Sequence, residues 1–564
     1  MLLLLTLSRQ LMAGAIDIDW NGLRDVDDEA PAEIARANWK VVCFLGTECP
    51  IAQFYGPRLQ ELESDFKKHG LRVVGVVSNL QDSAEDIRQY ATKHELTYPI
   101  IRDDDQSLAR QFGATRTPEV FLLDQANKVR YQGRIDDQYS PGLARGEAVQ
   151  HDLQNAIDAC VSGKPVPVVK TEAVGCLITF VKNPAIPTDS DSIVTFSRDV
   201  APILNRHCVE CHRDGEIAPF ALTDYDEVVG WSEMMLEVIE DKRMPPWHAD
   251  PQFGKFVGAR HFPKESYETL AAWVKQGMPR GEETVTDENA ISHRPHQTNG
   301  WHLPSPPDQV LAMREEPYIV PKDGTVEYQY FVVDPNWNED RWVRAAQVIP
   351  GSSSIVHHCI VFVRPPDGSH ARGIGWLGGY VPGQRVGALP TGHARRIPAG
   401  SKLVFQMHYT PNGRQMSDLT KIGVWLADAE EVTHEVTTRV AVNQHFEIPP
   451  RARDHLVHLR LDRFAEQSRL LGVMPHLHLR GKSFRLNVHR SNASQAENQP
   501  ETLLYVPHYD FNWQHWYQLQ TPLALDDVES LRMQVQFDNS AKNPANPAPN
   551  EFVTWGDQTW EEMA

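Results

Sequence analysis

Cys208-Val209-Glu210-Cys211-His212 constrains this chain more than any other five residues. Two thiols at C-x-x-C spacing can form thioethers to both vinyl groups of a haem, and the adjacent imidazole then becomes the proximal iron ligand. Random placement of seven cysteines and 24 histidines in 564 residues would produce such a run about 0.004 times, so the motif is informative. A thioredoxin-type C-x-x-C or half of a zinc site fits poorly here, because no second C-x-x-C follows and no βαβ pattern encloses it. The expected cofactor is therefore a covalent haem c.

The block from Phe196 to about Gly281 reads as helical. Phe196-Ser-Arg-Asp-Val-Ala-Pro-Ile-Leu leads into the motif and Met244-Pro245-Pro246-Trp247 follows it. With these features residues 195–285 resemble a small all-α cytochrome c domain. In that family a Met followed by Pro supplies the sixth iron ligand, a role the resemblance carries to Met244; Met278-Pro279 and the Met234-Met235 pair are rivals. A thioether opposite His raises the reduction potential and favours electron transfer. The resemblance also implies a periplasmic or secreted protein, since covalent haem attachment takes place outside the cytoplasm.

A chain of 564 residues and 63.8 kDa is several times the usual domain size, so three or four domains are expected. The net charge of -20 argues against nucleic acid or anionic lipid as a main partner. The cysteines are too few and too unevenly placed for a disulfide scaffold. Met1 to Leu7 is apolar and Ala13-Gly14-Ala15 offers a small-residue cleavage site, but the run is short and lacks a basic start. Residues 1–18 thus read as a signal remnant or an unstructured start. No later stretch approaches the ~18 apolar residues of a membrane span.

Residues 19–180 alternate buried-strand runs, Val41 to Leu45 and Leu71 to Val77, with amphipathic helical runs, Pro57 to Lys68 and Ser83 to His94. A hairpin from Glu119 to Tyr131 and a helix from Gly146 to Val161 complete an expected α/β layer. Cys49 follows the first strand where a helix begins, and helix N-terminal N–H groups stabilise a thiolate. It is the candidate nucleophile. Thr47-Glu48-Cys49-Pro50, Thr117-Pro118 and Gly133-Arg-Ile-Asp-Asp resemble the peroxiredoxin-like branch of the thioredoxin fold. The peroxiredoxin pattern has its Thr three residues before the reactive Cys, whereas Thr47 is two before Cys49. Cys176 or Cys160 could pair with Cys49, while Cys43 and Cys160 otherwise read as buried small hydrophobes.

Beyond a Pro- and His-rich linker from His293 to Asp308 the texture turns to Val/Thr/Phe strands between Gly-containing turns, the pattern of all-β sandwiches. His357-His358, His408 and His476-Leu477-His478 all fall in strand-like surroundings, and the two-residue alternation of a strand would send His476 and His478 to one face. The order His-His, Gln-x-His-Tyr, His-x-His, Glu-Glu-Met resembles the type II copper, ascorbate-dependent monooxygenases, the peptidylglycine α-hydroxylating and dopamine β-monooxygenase family. That resemblance implies two coppers: His357, His358 and His408 hold the electron-transfer ion, and His476, His478 and Met563 hold the oxygen-activating one. Met533 is a competing thioether whose strand setting reads as core. Imidazole serves both copper oxidation states and a thioether favours Cu(I). Adjacent His357 and His358 can share an ion only if their strand bulges.

The resemblance further implies two antiparallel jelly-roll-like sandwiches, 310–440 and 441–564, facing each other across a solvent-filled gap. Met474 stands where the peptide-processing member has a carboxylate-binding Arg, so a glycine-terminated peptide is not the expected substrate. The expected activity is hydroxylation of a small organic substrate with O2, the electrons coming from ascorbate or a redox protein through the haem and the thiol domain. The alternatives are a copper-binding electron carrier and a thiol peroxidase with accessory domains.

Overall fold

The computed structural model describes residues 15–181, 193–214, 216, 218–282, 300–322, 324–367, 375–381, 386–412, 414–491 and 500–564. The apolar leader, residues 183–191 and residues 293–299 of the Pro- and His-rich linker lie outside the described residues.

The apolar runs Trp39–Leu45 and Leu71–Val77 pair in parallel at the centre of a five-stranded sheet. Ile100–Arg102 extends it on one side in parallel, while Glu119–Asp124 and Val129–Gly133 extend it on the other as an antiparallel hairpin. Strands buried on both faces need continuous rather than alternating apolar residues, which is what these runs supply. Helices Pro50–Phe66, Ala84–Lys93 and Asp152–Val161 complete a thioredoxin-like α/β domain.

Two helix starts differ from the sequence expectation. The helix expected from Pro57 begins at Pro50, which occupies the first turn where a missing N–H costs nothing, and Pro57 is carried inside. The Tyr90 and Tyr98 hydroxyls donate to the carbonyls of Ala52 (3.1 Å) and Gly56 (3.2 Å) along that helix. The helix expected from Gly146 begins only at Asp152. The Asp137 carboxylate accepts the N–H groups of Val149 (2.7 Å) and Gln150 (2.8 Å), which holds that stretch as a loop.

Around the C-x-x-C-H run the chain is helical, with Ala201–His207, Tyr225–Glu240 and Lys264–Lys275. Asp224 caps the second helix in a reciprocal box with Glu227. These helices do not bury a core of their own: Val200, Trp231 and Trp273 belong to the same apolar cluster as Cys49 and Cys176.

The C-terminal region is largely β and contains several sheets. Strands Gln329–Val333, Lys402–Tyr409, Val356–Arg364 and Trp376–Tyr380 form one four-stranded sheet. Strands His455–Asp462, Val528–Phe537, Gly481–Arg490 and Glu501–Val506 form another. Each contributes to a separate apolar cluster, one around Phe405 and Val343, the other around Phe537 and Val457. Among the described strands the pairing is antiparallel except where His393–Ile397 meets the short strand His434–Glu435 in parallel, and an isolated parallel bridge joins Trp555 and Glu562.

Candidate metal centre and thiol pair

On a regular strand His357 and His358 would point to opposite faces. The ladder between Val356–Arg364 and Lys402–Tyr409 aligns Val356 with Tyr409 and His358 with His408, which leaves His357 as the extra residue of a bulge. The bulge brings the Nδ1 atoms of His357 and His358 to 3.1 Å. One ligand nitrogen from each of His357, His358 and His408 lies within 4.8 Å of the others.

His476 and His478 follow strand Arg469–Val473 in an irregular segment, so strand alternation is not what aligns them. Leu477 between them is buried, and its N–H donates to the Tyr509 hydroxyl at 3.1 Å, which pins the segment. The two rings lie 5.3 Å apart, and the His476 ring is 6.2 Å from that of His358. Five imidazoles therefore form one nest, and the solvent-filled gap implied by the resemblance does not separate the two sets. Instead His357 and His408 open onto the wall of a cleft of 1770 Å³ that Tyr509 and Phe511 also line. At the chain's C-terminal end the buried Glu562 carboxylate accepts the N–H groups of His478 (3.0 Å) and Arg480 (2.6 Å). That fixes the segment carrying the half-buried Met563 against His478. Met533 is buried in the neighbouring core, as its strand setting suggested.

Burial pushes the His357 imidazole down to about 4 and His478 to about 3, and holds His358 and His408 well below the ordinary range. All are neutral at neutral pH, so each ring offers one lone pair. The Nδ1 of His478 faces the Glu561 carbonyl at 3.3 Å and must be its donor, leaving Nε2 as the lone pair. That Nε2, the Nε2 of His358 and the Nδ1 of His408 are buried with no partner in the protein. Buried polar atoms are rarely left unpaired. Nitrogens bound to one ion at about 2.0 Å, at right-angle to tetrahedral geometry, lie roughly 2.8–3.3 Å apart. The Nδ1 atoms of His357 and His358, 3.1 Å apart, fall in that range, and the unpartnered His408 Nδ1 and His478 Nε2 offer further lone pairs, so the residues present fit a transition metal.

The helix Ala201–His207 runs directly into the C-x-x-C-H turn, in which the N–H groups of Cys211 and His212 both donate to the Cys208 carbonyl at 3.0 Å. The His212 Nδ1 lies 3.2 Å from the Phe220 carbonyl and so carries the proton, which leaves Nε2 as a lone pair. Burial pushes His212 down to about 4, so it is neutral. Phe220 stacks on Trp231 at 3.9 Å and 12°. Met244 lines the cleft wall with Pro245 and Trp247. Its rivals Met234, Met235 and Met278 are buried in the core that also takes Val209 of the motif, and the Met278 sulfur accepts from the Ser232 hydroxyl at 3.2 Å.

Cys49 is the N-cap of Pro50–Phe66 and fully buried, its sulfur 2.9 Å from the Thr117 carbonyl beside the cis Thr117–Pro118 bond. Cys176 reaches it on a two-residue strand paired with Arg116–Thr117, with Cys176 directly opposite Thr117. Gly175 permits this approach: its φ is +148° and a Cβ there would collide with the Thr117 carbonyl. Burial pushes the Cys49 thiol up, but hydrogen bonds from the Cys176 thiol and the Ala52 and Cys176 backbone outweigh it and leave Cys49 lowered. The hydrogen bond with Cys49, and then burial, drive Cys176 well up. Cys160 sits on Asp152–Val161 near Arg130 and Asp124, so of the two partners considered it is Cys176 that meets Cys49. Cys43 is fully buried in the sheet core. The Thr47 hydroxyl donates to Asp82 at 2.7 Å.

The helix Tyr225–Glu240 lies across this pair and packs on Cys176–Leu177. The Thr179 hydroxyl donates to the Gly230 carbonyl at 2.6 Å, and Arg116 pairs with Glu237 at 2.6 Å. Burial, with the Asp82 and Glu227 carboxylates adding repulsion, pushes Glu48 up to about 7. Unfolding releases that proton, so the native chain should lose stability as pH rises from about 4.5 to about 7. Glu48→Gln is expected to flatten this slope and to be the more stable protein at pH 8 but not at pH 4.5, as measured by denaturant midpoints.

Sequence reasoning did not single out Tyr328, Phe511, Asn512, Gln514 or Glu562. Tyr328 packs edge-on against His358 (5.6 Å) and His408 (5.0 Å), and Phe511 stacks on His357 at 4.7 Å. The alternation of polar and aromatic residues in Asp510-Phe-Asn-Trp-Gln-His515 was the available signal.

Residues 24–132 match the AhpC/TSA family. Over 87 residues, 15% of this chain and 49% of the relative, the chain is 28% identical to a thiol-disulfide oxidoreductase ResA of Geobacillus thermodenitrificans. The chain thus spans about half the length of the curated relatives it matches. Among solved structures, a hypothetical protein of Sinorhizobium meliloti 1021 is 26% identical, with 30% of this chain and 98% of that one covered at a TM-score of 0.27. A secreted Mycobacterium tuberculosis disulfide oxidoreductase homologous to E. coli DsbE is 12% identical, with 19% and 78% covered at a TM-score of 0.17. The N-terminal part is similar to thiol-disulfide oxidoreductases. No helix among the described residues is long and apolar enough to cross a membrane.

Proposed function

We propose that this thioredoxin-like chain is an extracytoplasmic oxidoreductase whose β region is a copper-dependent, monooxygenase-like catalyst that hydroxylates a small organic substrate with O2. The convergence of His357, His358 and His408, with unpartnered buried nitrogens, beside His476 and His478 carries this reading. His357, His358 and His408 would hold one copper, and His476, His478 and Met563 the other. Copper with imidazole and thioether donors cycles by single electrons and reacts with dioxygen in its reduced state. Cys208 and Cys211 would hold haem c, with His212 offering an imidazole and Met244 a thioether to its iron.

The chain's own residues supply the surroundings. Burial keeps the five imidazoles neutral, and the cleft onto which His357 and His408 open admits a small molecule. Hydroxylation consumes one O2, two electrons and two protons, giving alcohol and water. Oxidation of Cys49 and Cys176 to a disulfide yields two electrons and two protons, so one turnover of the pair balances one turnover of substrate. An external donor, ascorbate or a redox protein, would then reduce the disulfide.

Metal analysis and oxygen uptake test the reading. The full chain should carry two coppers and one haem, and should consume O2 with substrate when reduced. Copper binding without any oxygen uptake across a broad substrate screen would leave an electron carrier instead. One observation favours that second reading: His358 and His478 are fully buried and do not line the cleft.

A further inference from the structure

One short segment touches both sets of imidazoles. The Asn512 side chain lies beside His357 from the first set, and Gln514, two residues on, lies beside His476 from the second.

The orientation of each amide follows from its other partners. Asn512 Nδ2 donates to the Gly142 carbonyl and to the Asp510 carboxylate, both at 2.8 Å. Neither acceptor can donate, so the amide nitrogen faces them and Oδ1 faces His357 Nε2 at 3.4 Å. That nitrogen must carry the proton, and the lone pair of the neutral ring is left on Nδ1, directed to within 3.1 Å of His358 Nδ1. Gln514 repeats the logic. Its Nε2 donates to the Phe511 carbonyl at 3.2 Å, so Oε1 faces His476 Nδ1 at 2.6 Å and the His476 lone pair is left on Nε2. Between the two, Phe511 stacks on His357 at 15° and touches the His408 and His478 rings edge-on or tilted, at 6.1 and 6.2 Å.

We infer that Asn512 and Gln514 are positioning residues that fix the tautomers of His357 and His476, so that a single segment, 511–514, sets ligand direction in both halves of the nest. Outer hydrogen-bond partners of metal-binding histidines fix ring orientation and basicity in this way. The segment also ties the nest to the thiol domain, because Gly142 lies on the turn between strands Tyr139–Ser140 and Leu143–Ala144. Tyr139 of that hairpin packs at 5.4 Å on Tyr55, in the helix that Cys49 caps.

This inference rests on the copper reading above, and the test separates the two. Copper is titrated into the haem-loaded full chain and into Asn512→Leu and Gln514→Leu, with affinity read by competition with a chelator and geometry by the copper(II) paramagnetic resonance spectrum. Each Leu variant should weaken one copper equivalent by about 10- to 100-fold and change its spectrum. In the metal-free unaltered chain the ring nitrogen-15 shifts should show His357 protonated on Nε2 and His476 on Nδ1. Native affinity and native spectra in both Leu variants would overturn the positioning role while leaving the copper reading intact. Absence of copper binding by the unaltered chain would instead overturn the copper reading. If a Leu variant fails to fold, the opposite tautomer at its histidine in the unaltered chain overturns the role.

Discussion

A His358→Ala chain is expected to hold one copper fewer than the unaltered protein and to lose oxygen uptake. Removing an outer partner of a metal ligand typically costs 10- to 100-fold in affinity, so removing the ligand itself should cost more than about 100-fold. His358 is the ring that faces the others from every side. It stands opposite His408 in the ladder, its Nδ1 meets that of His357, and its ring approaches that of His476. The same substitution should disturb the metal-free protein much less. Deleting a buried ring opens a cavity, which destabilises, but it also removes a buried nitrogen that has no partner, which stabilises. A melting point that copper raises strongly in the unaltered chain and weakly in the variant checks this. Equal copper content in the two proteins would contradict it.

The second large effect is expected at the C-x-x-C-H turn. Replacing both Cys208 and Cys211 with Ala should abolish covalent haem retention, since each thioether needs its sulfur. Haem should stay with the unaltered chain through acid–acetone extraction and leave the double variant entirely. The variant should also fold less well than its surface position suggests, because the partly buried Cys208 packs against the core shared with the thiol domain. Retained haem in the variant would show that Cys208 and Cys211 are not its attachment points.

Much of the site could be read from residue order. Two adjacent histidines asked to face one direction require an extra residue in the strand, and the ladder has its extra residue at His357. The strands Leu71–Val77 and Glu119–Asp124 were visible as near-continuous apolar runs, Val73 to Val77 and Val120 to Leu123, because the sheet is covered on both faces. Other features depended on contacts between distant segments. Alternation suggested a strand at His476 and His478, but a loop held by Leu477 and Tyr509 produces the same convergence. Asn512 and Gln514 sit in a polar run that resembles any surface loop until His357 and His476 are placed against it. Nothing in the Gly175-Cys176 pair showed which segment it would join, because a two-residue strand has no periodicity. Met244 came from the resemblance and lines the cleft wall, whereas its rival Met278, also followed by proline, is buried with its sulfur accepting from the Ser232 hydroxyl.

The sulfurs of Cys49 and Cys176 are buried, and the helix Tyr225–Glu240 packs on the strand that carries Cys176, so a bulky reagent reaches them only when the molecule opens there. Their observed reactivity will then report how often the molecule opens at that seam rather than how nucleophilic the thiolate is. In a thioredoxin-type site open to solvent those two quantities coincide. Here they are separated, so a slow thiol in this chain can still be a strong one.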